Sequence, residues 1–132
     1  MMTDSHKALM DRWFGGLERR GAQELLALFA PQTWLRNAEG PPMQGADAPQ
    51  RFLKDLLDEG TARRFTIVDA AAQDDQLFAC WEAEYTSNAG NGMRARGITR
   101  FSLDDKGRIG QIQIVHTTPT AEAPQPVVRY GT

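Results

Sequence analysis

The 132-residue chain predicts an α+β fold: three N-terminal helices packed on one face of a strongly curved, mainly antiparallel sheet. Three observations carry this expectation. Apolar residues recur at helical spacing through the first half of the chain and then switch to a period of two. The strand-like runs that follow are separated only by the short turn clusters "QDD", "NAGNG" and "DDKG", so neighbouring strands pair as hairpins in an antiparallel meander. Strands of about 11 residues also coil as they twist, and such a sheet closed by helices forms a cone with an internal cavity.

The elements follow in order. Leu9, Met10, Trp13, Phe14 and Leu17 make one apolar stripe on a helix from Asp4 to about Arg20, and Gly21 is the expected stop. A short second helix, Ala22 to Phe29, carries Leu25, Leu26, Leu28 and Phe29 and is closed by Pro31. "TWLRN" reads as a brief strand and "AEGPPMQG" as a loop. Asp47 is placed to cap a third helix, Pro49 suits its first turn, Phe52, Leu53, Leu56 and Leu57 form its buried stripe, and Gly60 ends it. Four strands then read "RRFTIVDAAA", "QLFACWEAEYTS", "GMRARGITRFSL" and "GRIGQIQIVHT". In the last of these, alternation puts His116 on the same side as Ile112 and Ile114. Residues 1–117 make a single domain, and 118–132 form a proline-rich tail whose Val127, Val128 and Tyr130 could pack on a second subunit.

Composition narrows the function classes. Hydrophobic residues make up 41% and charged residues 24%, as in an ordinary soluble domain. A net charge of −2 argues against binding to nucleic acid or an anionic membrane, despite the local cluster Arg94, Arg96 and Arg100. The single Cys80 excludes an internal disulfide, and with only His6 and His116 a metal site is not expected. No cofactor is implied. The start "MMTDSHKALMDRWF" has an early acid and no long apolar stretch, so no signal peptide is read there, no run is long enough to span a bilayer, and a cytoplasmic location is expected.

Three stretches, taken in order and spacing, resemble a known superfamily: "DRWFGGLERRGAQELLALFAPQTWLRN", "GPPMQGADAPQRFL" and "GITRFSLDDKGRIGQIQIVHT". They are similar to the nuclear transport factor 2-like proteins, which include ketosteroid isomerases, SnoaL-like polyketide cyclases, scytalone dehydratases and limonene epoxide hydrolases. The likeness covers roughly residues 5–117 and implies a cone-shaped domain that hosts several chemistries. The isomerase positions for the tyrosine donor, the base and the donor acid fall on Trp13, Asn37 and Thr99. An amide cannot abstract a proton, so the standard isomerase mechanism is not expected. The epoxide hydrolases share the pattern of Thr33, Asn37, Pro41, Pro42, Gly45 and Asp47, with Asn37 at the asparagine that holds the attacking water. Their strand pair of charged residues corresponds to the region of Glu82 and Glu84, and the acid that they and the SnoaL-like cyclases keep on the last strand is Ile114 here.

By the same resemblance, Phe78, Cys80, Glu82 and Glu84, then Gly97, Thr99 and Phe101, then Ile112, Ile114 and His116 face into the cone. Trp13, Phe14, Asn37, Phe52 and Leu56 complete its wall. A small apolar or aromatic ligand suits such a pocket. The candidate catalytic set is His116 with Glu82 or Glu84, a carboxylate–imidazole pair able to trade a proton near neutral pH. The alternation of 76–87 also fits the opposite face, with Leu77, Ala79, Trp81, Ala83 and Tyr85 inside and the glutamates paired with Arg94, Arg96 or Arg100 across the hairpin. The resemblance further implies a homodimer through the outer sheet face, with Trp81, Tyr85, Arg96 and Arg100. Two functions are consistent with these residues. One is a cofactor-independent isomerase, cyclase, dehydratase or hydrolase. The other is a ligand-sensing or dimerisation module whose pocket is filled by its own side chains.

Overall fold

A computed structural model describes residues 2–58 and 61–121. The three helices are α1 (Asp4–Arg19), α2 (Ala22–Leu26) and α3 (Ala48–Leu57). The strands are β1 (Phe29–Asn37), β2 (Met43–Gln44), β3 (Thr61–Gln73), β4 (Gln76–Thr86), β5 (Gly92–Leu103), β6 (Ile109–His116) and β7 (Thr120–Ala121). The sheet runs β2-β1-β6-β5-β4-β3, with β7 paired to β5 beyond the end of β6. Every pairing is antiparallel except β1 with β6, which is parallel. The α+β fold of three helices on one face of a curved sheet is therefore the observed one, and the sheet does not close on itself.

Local chemistry sets the boundaries. Thr3 caps α1 by accepting from the His6 N–H at 3.1 Å, while the Thr3 N–H donates to His6 Nδ1 at 3.2 Å, so His6 is spent on the cap. The left-handed residue that ends α1 is Arg20, with φ of 57°, rather than the expected Gly21. Gly21 instead leads into α2, where a β-carbon would lie 2.6 Å from a Glu24 carboxylate oxygen. The second helix is shorter than expected because Phe29 turns back into the sheet as the buried first residue of β1. Pro31 lies within that strand and not after a helix. It sits where the register between β1 and β6 shifts, so its missing N–H costs no ladder bond. Within the expected loop, Met43 and Gln44 pair with Leu35 and Trp34. In the expected tail, Thr120 and Ala121 pair with Arg94 and Met93, so the sheet continues past residue 117. Gly60 as a helix stop, and Val127, Val128 and Tyr130, lie outside the described residues.

The core lies between the helices and the concave face of the sheet. Leu9, Met10, Trp13, Phe14 and Leu17 of α1 and Phe52, Leu53, Leu56 and Leu57 of α3 are all buried against it. No helix among the described residues is long and apolar enough to cross a membrane.

The turn before β6 is held by one carboxylate. Asp104 accepts from the N–H of Arg108 at 2.8 Å and of Lys106 at 2.9 Å, and its second oxygen meets Arg108 Nε at 2.9 Å. Gly107 completes the turn with φ of +78°. These bonds, the Arg108 N–H first, hold the Asp104 carboxyl below its ordinary value of 3.8. The unfolded chain therefore takes up this proton more readily than the folded one. The turn's contribution is complete above the ordinary carboxylate range and is lost as pH falls through the lowered native value. Asp104→Asn is expected to lower the melting temperature at neutral pH, and the gap to the parent protein should narrow in acid. Thermal melts of both proteins across the acidic range check this.

Candidate functional site

The orientation of β4 decides the site. Leu77, Ala79, Trp81 and Ala83 are buried, whereas Phe78, Glu82 and Glu84 are exposed and Cys80 is half-buried. The β4–β5 register runs unbroken from Gln76↔Ser102 to Thr86↔Gly92, placing Leu77 opposite Phe101 and Ala79 opposite Thr99. Directly opposed residues of an antiparallel pair share a face. Because Phe101 and Thr99 are buried inside, Leu77 and Ala79 must be inside as well, and with them Trp81. Two sets of expectations are corrected by this parity. Phe78, Cys80, Glu82 and Glu84 point away from the interior, and Trp81 and Tyr85 belong to the concave side rather than to an outer interface. Arg96 and Arg100 do lie on the outer face, opposite Glu82 and Phe78. Glu84 pairs there with Arg94 at 3.5 Å. Both glutamates are on the far side of the sheet from His116, so no carboxylate–imidazole pair is assembled.

The remaining pocket candidates fill the interior. Trp13 is fully buried and meets Phe29 and Phe101 edge-on, with centroids 6.0 and 5.8 Å away. Phe52, Leu56, Ile112 and Ile114 pack into the same core. Neither the Trp13 indole N–H nor the Thr33 hydroxyl has a hydrogen-bond partner among the described residues. Such a buried donor costs about 1–3 kcal/mol, but burying some 200 Å² of indole returns roughly 5 kcal/mol, so the packing wins. Asn37 ends β1 opposite Ile114.

A small space lies at the open end of the concave face. A cavity of about 50 Å³ is lined by Phe65, Trp81, Tyr85 and His116, with Ala83, Ala95 and Pro119 between them. The rings form a chain. Phe14 packs on Phe65 at 5.4 Å, Phe65 meets Trp81 at 5.6 Å and 76°, and Trp81 lies 6.5 Å from His116 at 47°. The Trp81 indole N–H donates to Thr99 Oγ1 at 2.9 Å, a buried bond that fixes the ring. Gly97 makes room for it. A β-carbon there would lie 2.5 Å from the Val115 carbonyl oxygen, 2.7 Å from Cζ2 of Trp81 and 2.8 Å from Cβ of His116. His116 is half-buried and projects inward, as its alternation with Ile112 and Ile114 predicts. Its Nδ1 lies 2.8 Å from the Thr117 carbonyl oxygen. A carbonyl only accepts, so in the neutral ring this contact puts the proton on Nδ1 and leaves the lone pair on Nε2. Among the described residues, no three His, Cys, Asp or Glu side chains gather into a metal-binding cluster.

Against known proteins, the model of the SnoaL-like domain matches residues 10–112. The chain belongs to the SnoaL-like domain family. Curated proteins give no match. Among solved structures, RV0760c from Mycobacterium tuberculosis is similar with a TM-score of 0.77 at 12% identity, covering 92% of this chain and 99% of that one. SalBIII, described as an epoxide hydrolase/cyclase-like enzyme in pyran ring formation in the polyether salinomycin, has a TM-score of 0.74 at 13% identity, covering 89% and 95%. An NTF2-like protein of unknown function from Exiguobacterium sp. 255-15 has a TM-score of 0.70 at 17% identity, covering 83% and 98%. At such identities the likeness speaks for the fold.

This SnoaL-like domain therefore keeps the family scaffold while its interior is apolar where an acid was sought, at the buried Ile114. Phe65, Ala95 and Pro119 were not among the expected pocket residues, and Ala83 and Tyr85 were inside only in the alternative orientation of the strand. Tyr85 shares the parity of Trp81, so one correct face assignment finds both. Phe65 follows from its pairing with Ala83. Pro119 lies in a segment without periodicity, and nothing in its surroundings marks it. Because the Val115 carbonyl is backbone, Gly97→Ala cannot be absorbed by a rotamer change. It should cost about 1–3 kcal/mol and displace the Trp81 ring. Urea denaturation followed by tryptophan emission reads both effects.

Proposed function

We propose that this SnoaL-like domain is a small-molecule-binding module that seats one apolar or aromatic group of its ligand at the open end of the sheet. The observation that carries this reading is the cavity lined by Phe65, Trp81, Tyr85 and His116. With the glutamates outside, the geometry favours binding over acid–base catalysis by a residue pair. The cavity's 50 Å³ takes on the order of three to four water-sized groups. At a ceiling of about 1.5 kcal/mol per heavy atom, the seated group contributes roughly 5–6 kcal/mol, so affinity lies between micromolar and millimolar unless the rest of the ligand adds contacts outside. A panel of small aromatic and terpenoid alcohols, read by thermal shift and by tryptophan emission, tests the idea. At least one compound should raise the melting temperature, and His116→Ala should weaken its binding several-fold without unfolding the protein. A panel with no effect on the parent protein would sink the reading.

A second feature supports self-association. Val68, Ile98 and Val115 are 61%, 47% and 58% exposed on the convex face, and Phe78 is 38% exposed beside them. Cys80, Ile98 and Val115 lie in one row across three strands. Glu82 and Arg96, paired across the hairpin, stand on one side of that row, and Phe78 and Arg100 on the other. A two-fold axis along the row would set the Glu82 side of one copy over the Arg100 side of its partner and cover the apolar strip. A homodimer through this face follows, built on Phe78, Ile98 and Val115 instead of Trp81 and Tyr85. Light scattering should report a dimer for the parent protein and a folded monomer for Ile98→Glu. A monomeric parent at high micromolar concentration would refute the interface.

A further inference from the structure

We propose that the group seated in the cavity is a methylated ammonium, a quaternary or tertiary amine head whose charge is spread over its methyls. This rests on the reading of the cavity as a binding site: the head presents only methyl groups to the walls, so it is the apolar group of that reading, narrowed to one whose methyls carry spread charge. The walls are unusual for a purely apolar ligand. Elsewhere the interior is filled with aliphatic side chains such as Leu35, Leu77 and Ile112, yet no leucine, isoleucine or valine lines this cavity. Its large side chains are the rings of Phe65, Trp81, Tyr85 and His116. Aromatic faces carry negative potential and attract a cation within about 6 Å of the centroid, most strongly for tryptophan. Phe65 and Trp81 stand nearly perpendicular with centroids 5.6 Å apart, and His116 lies at 47° to Trp81 and 6.5 Å away. These are walls at angles to one another, and a compact head set among them lies within reach of several at once.

The other observations agree. Trp81 is locked in place by its bond to Thr99 and by the missing side chain at Gly97, so little ordering cost remains on binding. No lysine or arginine lines the cavity. The Glu18 carboxylate accepts from the Phe65 N–H at 2.7 Å, adding negative charge at the strand that carries one wall. Trimethylammonium has four heavy atoms, in keeping with the room for roughly three to four water-sized groups.

The test compares choline and tetramethylammonium with 3,3-dimethylbutan-1-ol, the neutral molecule in which carbon replaces the choline nitrogen. Isothermal titration and tryptophan emission give the affinities. Choline is expected to bind on the order of ten-fold more tightly than its neutral counterpart. Tyr85→Leu, at the half-buried rim, should abolish that preference while the neutral alcohol still binds, and Phe65→Leu gives a second reading on the opposite wall. Equal affinity of the charged and neutral molecules overturns the proposal and leaves the pocket reading intact. So does binding confined to neutral aromatic compounds. Failure of every compound, charged and neutral, removes the pocket reading and this proposal together.

Discussion

The register between β4 and β5 is the constraint on which the rest of the molecule depends. It runs without a slip along the whole hairpin, so one choice of parity assigns every side chain of both strands to a face. That choice places Trp81 against Thr99 within the concave face and leaves Phe78, Glu82 and Glu84 on the convex side. A shift of one residue would bury two carboxylates in an apolar interior and expose an indole. Either half of that exchange costs several kcal/mol, so the alternative is not a competitor.

From that parity the division of labour follows. The deep interior is occupied by Trp13, Phe52, Phe101 and the β6 isoleucines, and serves as core. The end of the concave face at Tyr85 and His116 keeps aromatic side chains around a small space. Gly97 links the two regions. By lacking a side chain it lets the Trp81 ring and His116 approach one strand backbone together, so one residue's absence of bulk shapes the site. The scaffold is shared with proteins of quite different description, from an epoxide hydrolase/cyclase-like enzyme to one of unknown function. Function in this chain has to be read from these local residues.

The fold was largely legible in the residues. The stripes of α1 and α3, the turn clusters and the change of period all found their elements. The misses have physical causes. Pro31 reads as a helix stop, yet a register shift lets proline lie in a strand. Met43–Gln44 and Thr120–Ala121 are too short to show a period. The site was less legible because β4 is apolar on both faces: Phe78 and Cys80 compete with Leu77, Ala79 and Trp81. Family spacing pointed to the wrong side and left the tie open, whereas counting pairs back from the "NAGNG" turn, where Thr86 meets Gly92, sets Leu77 and Ala79 beside Phe101 and Thr99 and resolves it. His116 needed no such tie-break, since Ile112 and Ile114 share its side.

The parallel pairing of β1 with β6 has a consequence for biosynthesis. Leu35 lies beside Ile112, and Phe29 beside Ile109, partners nearly eighty residues later in the chain. As the protein leaves the ribosome, the first half emerges with the apolar stripes of its helices and β1 made but with nothing to cover them. At ordinary elongation rates of about 5–20 residues per second, that surface stays bare for several seconds until the last long strand is released. The interval closes when β6 slots between β1 and β5.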